Sequence, residues 1–233
     1  MNKENILVVS ASYNEAENIK QFVNDLTKQN YHILIVDDNS PDGTGDFILN
    51  SEHYQRNLFL LSRENKQGYG TAYIEGFKWG LEKDYEYIVS MDTDLSHRVT
   101  DLDKMVDEIG NFDLIIGSRY TKNGGTEGWG LHRKILSKYA NKLAMFATKS
   151  KIKDMTTGFR VYKKESLEKI DFENSQYNGY SFLVDLLNKC VKADLSIKEV
   201  PILFIDRIHG KSKMDLRVIL EGMKTLIELY FRK

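Results

Sequence analysis

Short apolar runs separated by polar, amphipathic stretches set the organisation of this chain. Ile6 to Val9, Tyr31 to Val36, Leu58 to Leu61, Tyr87 to Met91 and Phe112 to Ile116 read as strands, mostly buried on both faces. Between them the pattern predicts helices over residues 14–29, from the Pro41/Gly43 turn to about Ser51, from the Gln67–Gly70 glycine loop to about Glu82, and over about 100–110. Strands alternating with helices at this spacing predict an α/β fold, a mostly parallel sheet flanked by helices on both faces. Such sheets bind ligands beyond the carboxyl ends of their strands. Polar signatures fall at four of those ends, residues 11–15, 37–44, 92–96 and 117–120.

From about residue 118 the alternation stops. Gly117–Tyr120 and Asn123–Gly125 read as a loop, and Leu131 to Thr148 as a helix with apolar residues at 131, 135, 139, 143 and 146. Its other face carries Lys134, Lys138 and Lys142, and from Trp129 to Lys153 there is no Asp or Glu. One-signed charge of this kind suits a phosphate-bearing partner or a membrane surface, where an ordinary solvated face carries both signs. Thr156 to Tyr162 reads as an edge strand and Ile197 to Phe204 as a further strand. The run Asp206 to Lys213 contains Gly-Lys-Ser, but Ile205 stands where a phosphate-binding P-loop needs glycine, which excludes that motif. Residues 214–233 read as an amphipathic helix with Leu216, Ile219, Leu220, Met223, Leu226, Ile227 and Tyr230 on one side. The division predicted is a catalytic domain over 1–213 and this helix over 214–233.

The chemistry concentrates at Asp92-Thr-Asp94. Two carboxylates two residues apart repel unless a cation joins them or one stays protonated. The pair reads either as a solvated loop after a strand or as the seat of a hard divalent ion, Mg²⁺ or Mn²⁺, carrying a phosphorylated ligand. No His or Cys stands where a catalytic dyad needs it, and Cys190 lies inside a predicted helix. The lone cysteine excludes an internal disulfide and fits a reducing compartment. A net charge of −1 argues against a nucleic-acid binder. There is no signal-like N-terminus and no apolar run of membrane-spanning length, so the expected location is cytoplasmic, peripheral on the cytoplasmic face of a membrane.

Together these blocks resemble the polyprenol monophosphomannose synthases, or dolichyl-phosphate mannosyltransferases, within the GT-A glycosyltransferases of family 2. The matching pieces are Ala11-Ser-Tyr-Asn-Glu15, Val36-Asp-Asp-Asn-Ser-Pro-Asp-Gly-Thr44, Gly68-Tyr-Gly-Thr-Ala-Tyr73, Met91-Asp-Thr-Asp-Leu-Ser-His97, Gly117-Ser-Arg-Tyr120, Gly158-Phe-Arg160, Gly179-Tyr180, Glu199-Val-Pro-Ile202, Asp206-Arg207 and Gly210-Lys-Ser-Lys213.

The resemblance implies a Rossmann-like GT-A fold and an inverting, metal-dependent transfer of mannose from GDP-mannose to a polyprenyl or dolichyl phosphate. It implies that Ala11, Tyr13, Glu15, Val36 and Asp38 line the nucleoside pocket, and that Asp92, Thr93 and Asp94 sit at the diphosphate. Asp94 and Ser96 would be the protein ligands of Mg²⁺ or Mn²⁺, and Arg119, Arg207 and Lys213 would hold donor phosphates. Arg133 and Ser137 match the positions that meet the acceptor phosphate. The implied catalytic set is Asp92, Asp94, Arg119, Arg133 and Arg207, and the implied partners include a membrane surface or a small membrane protein. The chain departs from the pattern at Ala11, where the family has Pro, and at Leu183 and Asp185, where it has an amide and Glu. Two alternatives stay open: transfer from UDP-glucose or UDP-GlcNAc to a lipid or polysaccharide, and a non-catalytic nucleotide-sugar-binding subunit.

Overall fold

The computed structural model describes residues 2–177, 179–207 and 216–231. In chain order the elements are β1 (Ile6–Ser12), α1 (Ala16–Thr27), β2 (His32–Asp37), α2 (Thr44–Leu49), β3 (Leu58–Ser62), α3 (Tyr69–Leu81), β4 (Tyr87–Ser90), α4 (Val99–Glu108) and β5 (Leu114–Ser118). They continue as β6 (Gly125–Glu127), α5 (Leu131–Thr148), β7 (Arg160–Lys163), α6 (Lys164–Glu168), α7 (Gly179–Lys192), β8 (Ile197–Pro201), β9 (Leu203–Ile205) and α8 (Leu216–Phe231).

The main sheet runs β3-β2-β1-β4-β7-β5-β8. Alternation along β1 splits its side chains between two cores, as a pleated strand requires. Leu7 and Val9 join Val36, Phe77 and Phe182 on the face covered by α3 and α7, while Ile6 and Val8 join Phe22, Ile35 and Leu102 beneath α1 and α4. Helix α3 lies so close to β1 that a Cβ on Gly76 would collide with Val9 Cγ1. This is why the helix carries glycine mid-length, despite its cost there.

The parallel pattern is interrupted once. β7 pairs antiparallel with both β4 and β5, so residues 160–163 are an interior strand, not the edge expected from the sequence. The expected strand 197–204 also breaks at Ile202: β8 pairs with β5, and β9 leaves to form a two-stranded ribbon with β6, which starts at Gly125 in the expected loop. That departure has a function, because it carries Asp206 and Arg207 back over the mouth of the sheet.

Helix α5 has the predicted bounds, but its apolar face is turned outward. Leu131, Ile135, Leu136, Tyr139, Leu143 and Phe146 are exposed, while Asn141, Ala144, Ala147 and Thr148 face the protein. α8 packs beside α5 and α7, burying Thr225 and Leu229 and leaving Met223, Ile227, Tyr230 and Phe231 exposed. Phe146 stacks on Tyr230 with centroids 5.4 Å apart, joining the two faces into one apolar surface.

Candidate active site

The acidic stretch after β4 is a tight turn. Leu95 takes φ +61°, and both the backbone N–H and the hydroxyl of Ser96 donate to Asp94 Oδ1, curling the chain back on itself. The two acids nevertheless share one electrostatic neighbourhood: burial, and then the charge of Asp94, push the Asp92 carboxyl above its ordinary range despite the opposing pull of His97 and Arg207. Asp94 Oδ2 lies 3.0 Å from Arg207 Nη2. Thr93 between them is buried. The Ile205 N–H donates to the Ser96 carbonyl at 3.1 Å, which fastens the β9 ribbon to this turn.

His97 is buried, stacked on Phe159 at 4.6 Å and edge-on to Phe204 at 5.3 Å. Burial pushes its imidazole down toward the neutral form, and Asp92 N–H donates to Nδ1 at 3.4 Å. It acts here as a wedge holding the turn against β7 and β9.

At the neighbouring strand ends, Ala11 and Val36 are partners in the β1–β2 register. Tyr13 follows β1 with the Lys66 ammonium 4.2 Å from its ring centre. Glu15 stands at the start of α1, where its carboxylate accepts from Asn18 at 2.8 Å and its N–H donates to Thr44 Oγ1 at 3.1 Å. Asp38 is buried, and that burial raises its carboxyl in spite of Arg63 and the N–H groups of Gly68 and Gln67. Arg63 Nη1 stands 2.8 Å from Asp38 Oδ1 as an ion pair. Arg63 also reaches Thr71 Oγ1 at 2.7 Å, tying β2, β3 and the start of α3 to one guanidinium. The sequence reading passed over Arg63, although it sits directly at the end of β3 like the other polar signatures.

The predicted phosphate-binding cations have different settings. Arg119 is buried, and its Nε and Nη2 donate to Asp154 at 2.8 and 2.6 Å while its backbone N–H donates to the same carboxylate at 2.9 Å. Arg133 donates to Asp206 Oδ1 at 2.8 Å and covers the Trp129 ring at 4.0 Å. Ser137, one turn further along α5, accepts from the Tyr120 hydroxyl at 2.7 Å. Because Asp206 and Arg207 are adjacent, Asp94–Arg207 and Asp206–Arg133 form two neighbouring ion pairs of alternating sign across the mouth of the sheet. Lys213 lies outside the described residues. The structure thus brings Asp92, Asp94, Ser96, Arg207 and Arg133 to one rim, with Arg119 behind it against Trp129.

This arrangement, a parallel sheet with acids and arginines at the carboxyl ends of its strands, coincides with a family model. Residues 7–171 match the model of glycosyl transferase family 2. The chain belongs to glycosyl transferase family 2. It is 39% identical to a polyprenol monophosphomannose synthase of Mycolicibacterium smegmatis, over 95% of this chain and 85% of that protein. It is 34% identical to an undecaprenyl-phosphate mannosyltransferase of Micrococcus luteus, over 94% and 90%. Among solved structures, a glucosyl-3-phosphoglycerate synthase from Mycobacterium tuberculosis in complex with Mn²⁺, uridine diphosphate and phosphoglyceric acid superposes with a TM-score of 0.72, covering 97% of this chain and 78% of that one at 16% identity. The same enzyme with Mg²⁺ and uridine diphosphate gives 0.67. At that identity the likeness establishes the GT-A fold of this glycosyltransferase, and the ions belong to the other protein.

Proposed function

We propose that this glycosyltransferase moves mannose from GDP-mannose to the phosphate of a polyprenol. The observation that carries the reading is the 39% identity to a polyprenol monophosphomannose synthase, maintained over 95% of the chain. Two adjacent Arg–Asp pairs at the rim support it, since they offer separate cationic footholds for two anionic substrates.

The residues present fit a hard divalent ion. Asp94 and Ser96 supply oxygen donors on one turn, and a cation there would offset the burial and the Asp94 charge that raise the Asp92 carboxyl. Asp94 and Ser96 would hold Mg²⁺ or Mn²⁺, which when bound neutralises charge on the donor diphosphate. In this reading Ala11, Tyr13, Glu15, Val36 and Asp38 line the nucleoside pocket, with Arg63 fixing Asp38. Arg133 and Ser137 bind the acceptor phosphate. One of its oxygens, already anionic, bonds to the anomeric carbon as the bond from that carbon to the donor diphosphate breaks, with inversion. No strong general base is required, consistent with a site furnished with arginines. Arg207 stabilises charge growing on the departing diphosphate, and Arg119, held by Asp154, shapes the wall behind it.

The exposed surface of α5 and α8 would rest on the bilayer that holds the acceptor. Leu131 is 74%, Phe146 68% and Phe231 75% exposed, and Lys134, Lys138 and Lys142 are exposed beside them. No helix among the described residues is long and apolar enough to cross a membrane. Each basic side chain near an anionic surface adds on the order of 1 kcal/mol of attraction. Co-sedimentation with anionic vesicles should be strong for the native chain and largely lost for Leu143→Glu/Phe146→Glu. Equal sedimentation of the two would remove bilayer docking, leaving a membrane-protein partner.

The reaction itself is tested by offering purified protein a short polyprenyl phosphate with GDP-mannose, UDP-glucose or UDP-GlcNAc. Organic-extractable product should form from GDP-mannose alone; product from a uridine donor would reassign the sugar, and binding without any product would indicate a non-catalytic subunit.

A further inference from the structure

Two tyrosine side chains converge on one oxygen of Asp92. Tyr69, the first residue of α3, donates its hydroxyl to Asp92 Oδ1 at 3.0 Å. Tyr73, one turn on, donates to the Met91 carbonyl at 3.2 Å and approaches Asp92 Oδ1 at 3.4 Å. The two rings lie 4.8 Å apart, so each limits the other's swing. Beside this hydrogen bond the backbone of Gly158 approaches the same hydroxyl. A Cβ at that position would stand 2.5 Å from Tyr69 Oη and 3.7 Å from each Asp92 carboxylate oxygen. Gly158 has little room to retreat, because its carbonyl accepts from Ser90 Oγ, on the neighbouring strand, at 2.6 Å. The Tyr69 hydroxyl therefore bonds to the carboxylate with a backbone segment from a distant part of the chain packed along its flank.

A carboxylate on a turn rotates about its Cβ–Cγ bond unless something holds one oxygen. Here the Tyr69 hydroxyl holds Oδ1, and Gly158 limits its sideways movement. We propose that Tyr69, backed by Gly158, is a positioning residue that fixes the rotation of the Asp92 carboxylate at the mouth of the sheet. The inference rests on the donor diphosphate binding there, as set out above. It assigns a reason for glycine at 158 that no local turn demands. A larger residue would occupy the place of the hydroxyl.

The test uses the full chain and the variants Tyr69→Phe, Gly158→Ala and both together. Tyr69→Phe keeps the ring packing and removes only the hydroxyl. It should fold and melt no more than about 12 °C below the native protein, while Mn²⁺ binding in the presence of GDP, followed by electron paramagnetic resonance, weakens several-fold. Its kcat should fall about ten- to one-hundred-fold, the scale of one hydrogen bond to a charged group, with the polyprenyl phosphate KM unchanged. Gly158→Ala should lower the melting temperature in the native background and lower it much less in Tyr69→Phe, because the atom its methyl meets is then gone. The double variant should lose no more kcat than the worse single one. The proposal is overturned if Tyr69→Phe matches the native protein in kcat and Mn²⁺ binding, or if the two substitutions add independently in melting temperature. If the native protein itself binds no Mn²⁺ with GDP, the functional reading fails and this role falls with it; the melting cycle then reports on the clamp alone.

Discussion

The Arg119–Asp154 pair offers a perturbation whose size follows from its surroundings. The side chains are 7% and 0% exposed, so solvent screens little of the interaction. Asp154 receives three donors from Arg119, and its own N–H and that of Lys153 donate to Glu199, so the carboxylate cannot move with a lost partner. Asp154→Asn keeps the shape and an acceptor for the backbone N–H but leaves the guanidinium without its counter-charge. Removing one member of a buried pair typically costs about 3–5 kcal/mol. At about 2–4 °C per kcal/mol for a chain of this size, the melting temperature should fall by about 6–20 °C. Replacing both members is much milder, because no charge is left stranded. Arg119→Met/Asp154→Asn should therefore regain more than half of the loss in thermal unfolding followed by circular dichroism. On the proposed function, transfer activity should not return with it, since the wall assigned to the donor diphosphate has lost its guanidinium. The reasoning is refuted if Asp154→Asn melts within about 2 °C of the native chain, or if the double variant is no more stable than the single one.

Other consequences can be measured separately. With Arg133 binding the acceptor phosphate as proposed, Asp206→Asn, which removes the carboxylate that occupies Arg133 at 2.8 Å, should lower the KM for polyprenyl phosphate a few-fold; a rise would mean that Asp206 orients Arg133 and does not compete for it. Asp113 is held below the ordinary carboxylate range by the hydroxyl and N–H of Ser196 and by Ser166, which joins the start of β5 to the segment before β8. A depressed carboxyl stabilises the fold above its unfolded pKa and loses that contribution as pH falls through the folded value. Asp113→Asn should thus lower the melting temperature by a few degrees at pH 7 and by almost nothing near pH 2; an equal deficit at both pH values would contradict the assignment.

Much of the fold was legible because its first half is built from local signals. Each strand from β1 to β5 is a short apolar run, all but β3 were read with a polar signature where they end, and the bounds of α5 followed from residue spacing alone. β7 was misplaced as an edge because its position between β4 and β5 is set by pairing across 70 residues from Ser90 to Arg160, which no window of sequence contains. The break at Ile202 escaped notice for a similar reason: Ile202 N–H bonds to the Ser118 carbonyl and the next residues leave for β6.

The site divided along the same line. The acids at 92 and 94 are visible as residue types at a strand end, and the arginines at 119, 133 and 207 through the family resemblance. Their partners are not, since Asp154, Asp206, Arg63 and Tyr69 acquire meaning only through contacts made far along the chain. One signal was available for Asp154: it is the first acidic residue after the long basic run that starts at Trp129. The outward apolar face of α5 was likewise unreadable from periodicity, which gives the stripe but not the side it faces.

The most direct test of the account measures transfer of labelled mannose from GDP-mannose to a polyprenyl phosphate by the native chain and by Asp94→Ala, across a titration of Mg²⁺ or Mn²⁺. Transfer by the native chain should require the ion, and Asp94→Ala should be slower by about 10²-fold or more at saturating ion, the scale of one lost electrostatic stabiliser. Near-native transfer by Asp94→Ala, or full activity of the native chain in excess chelator, would contradict it.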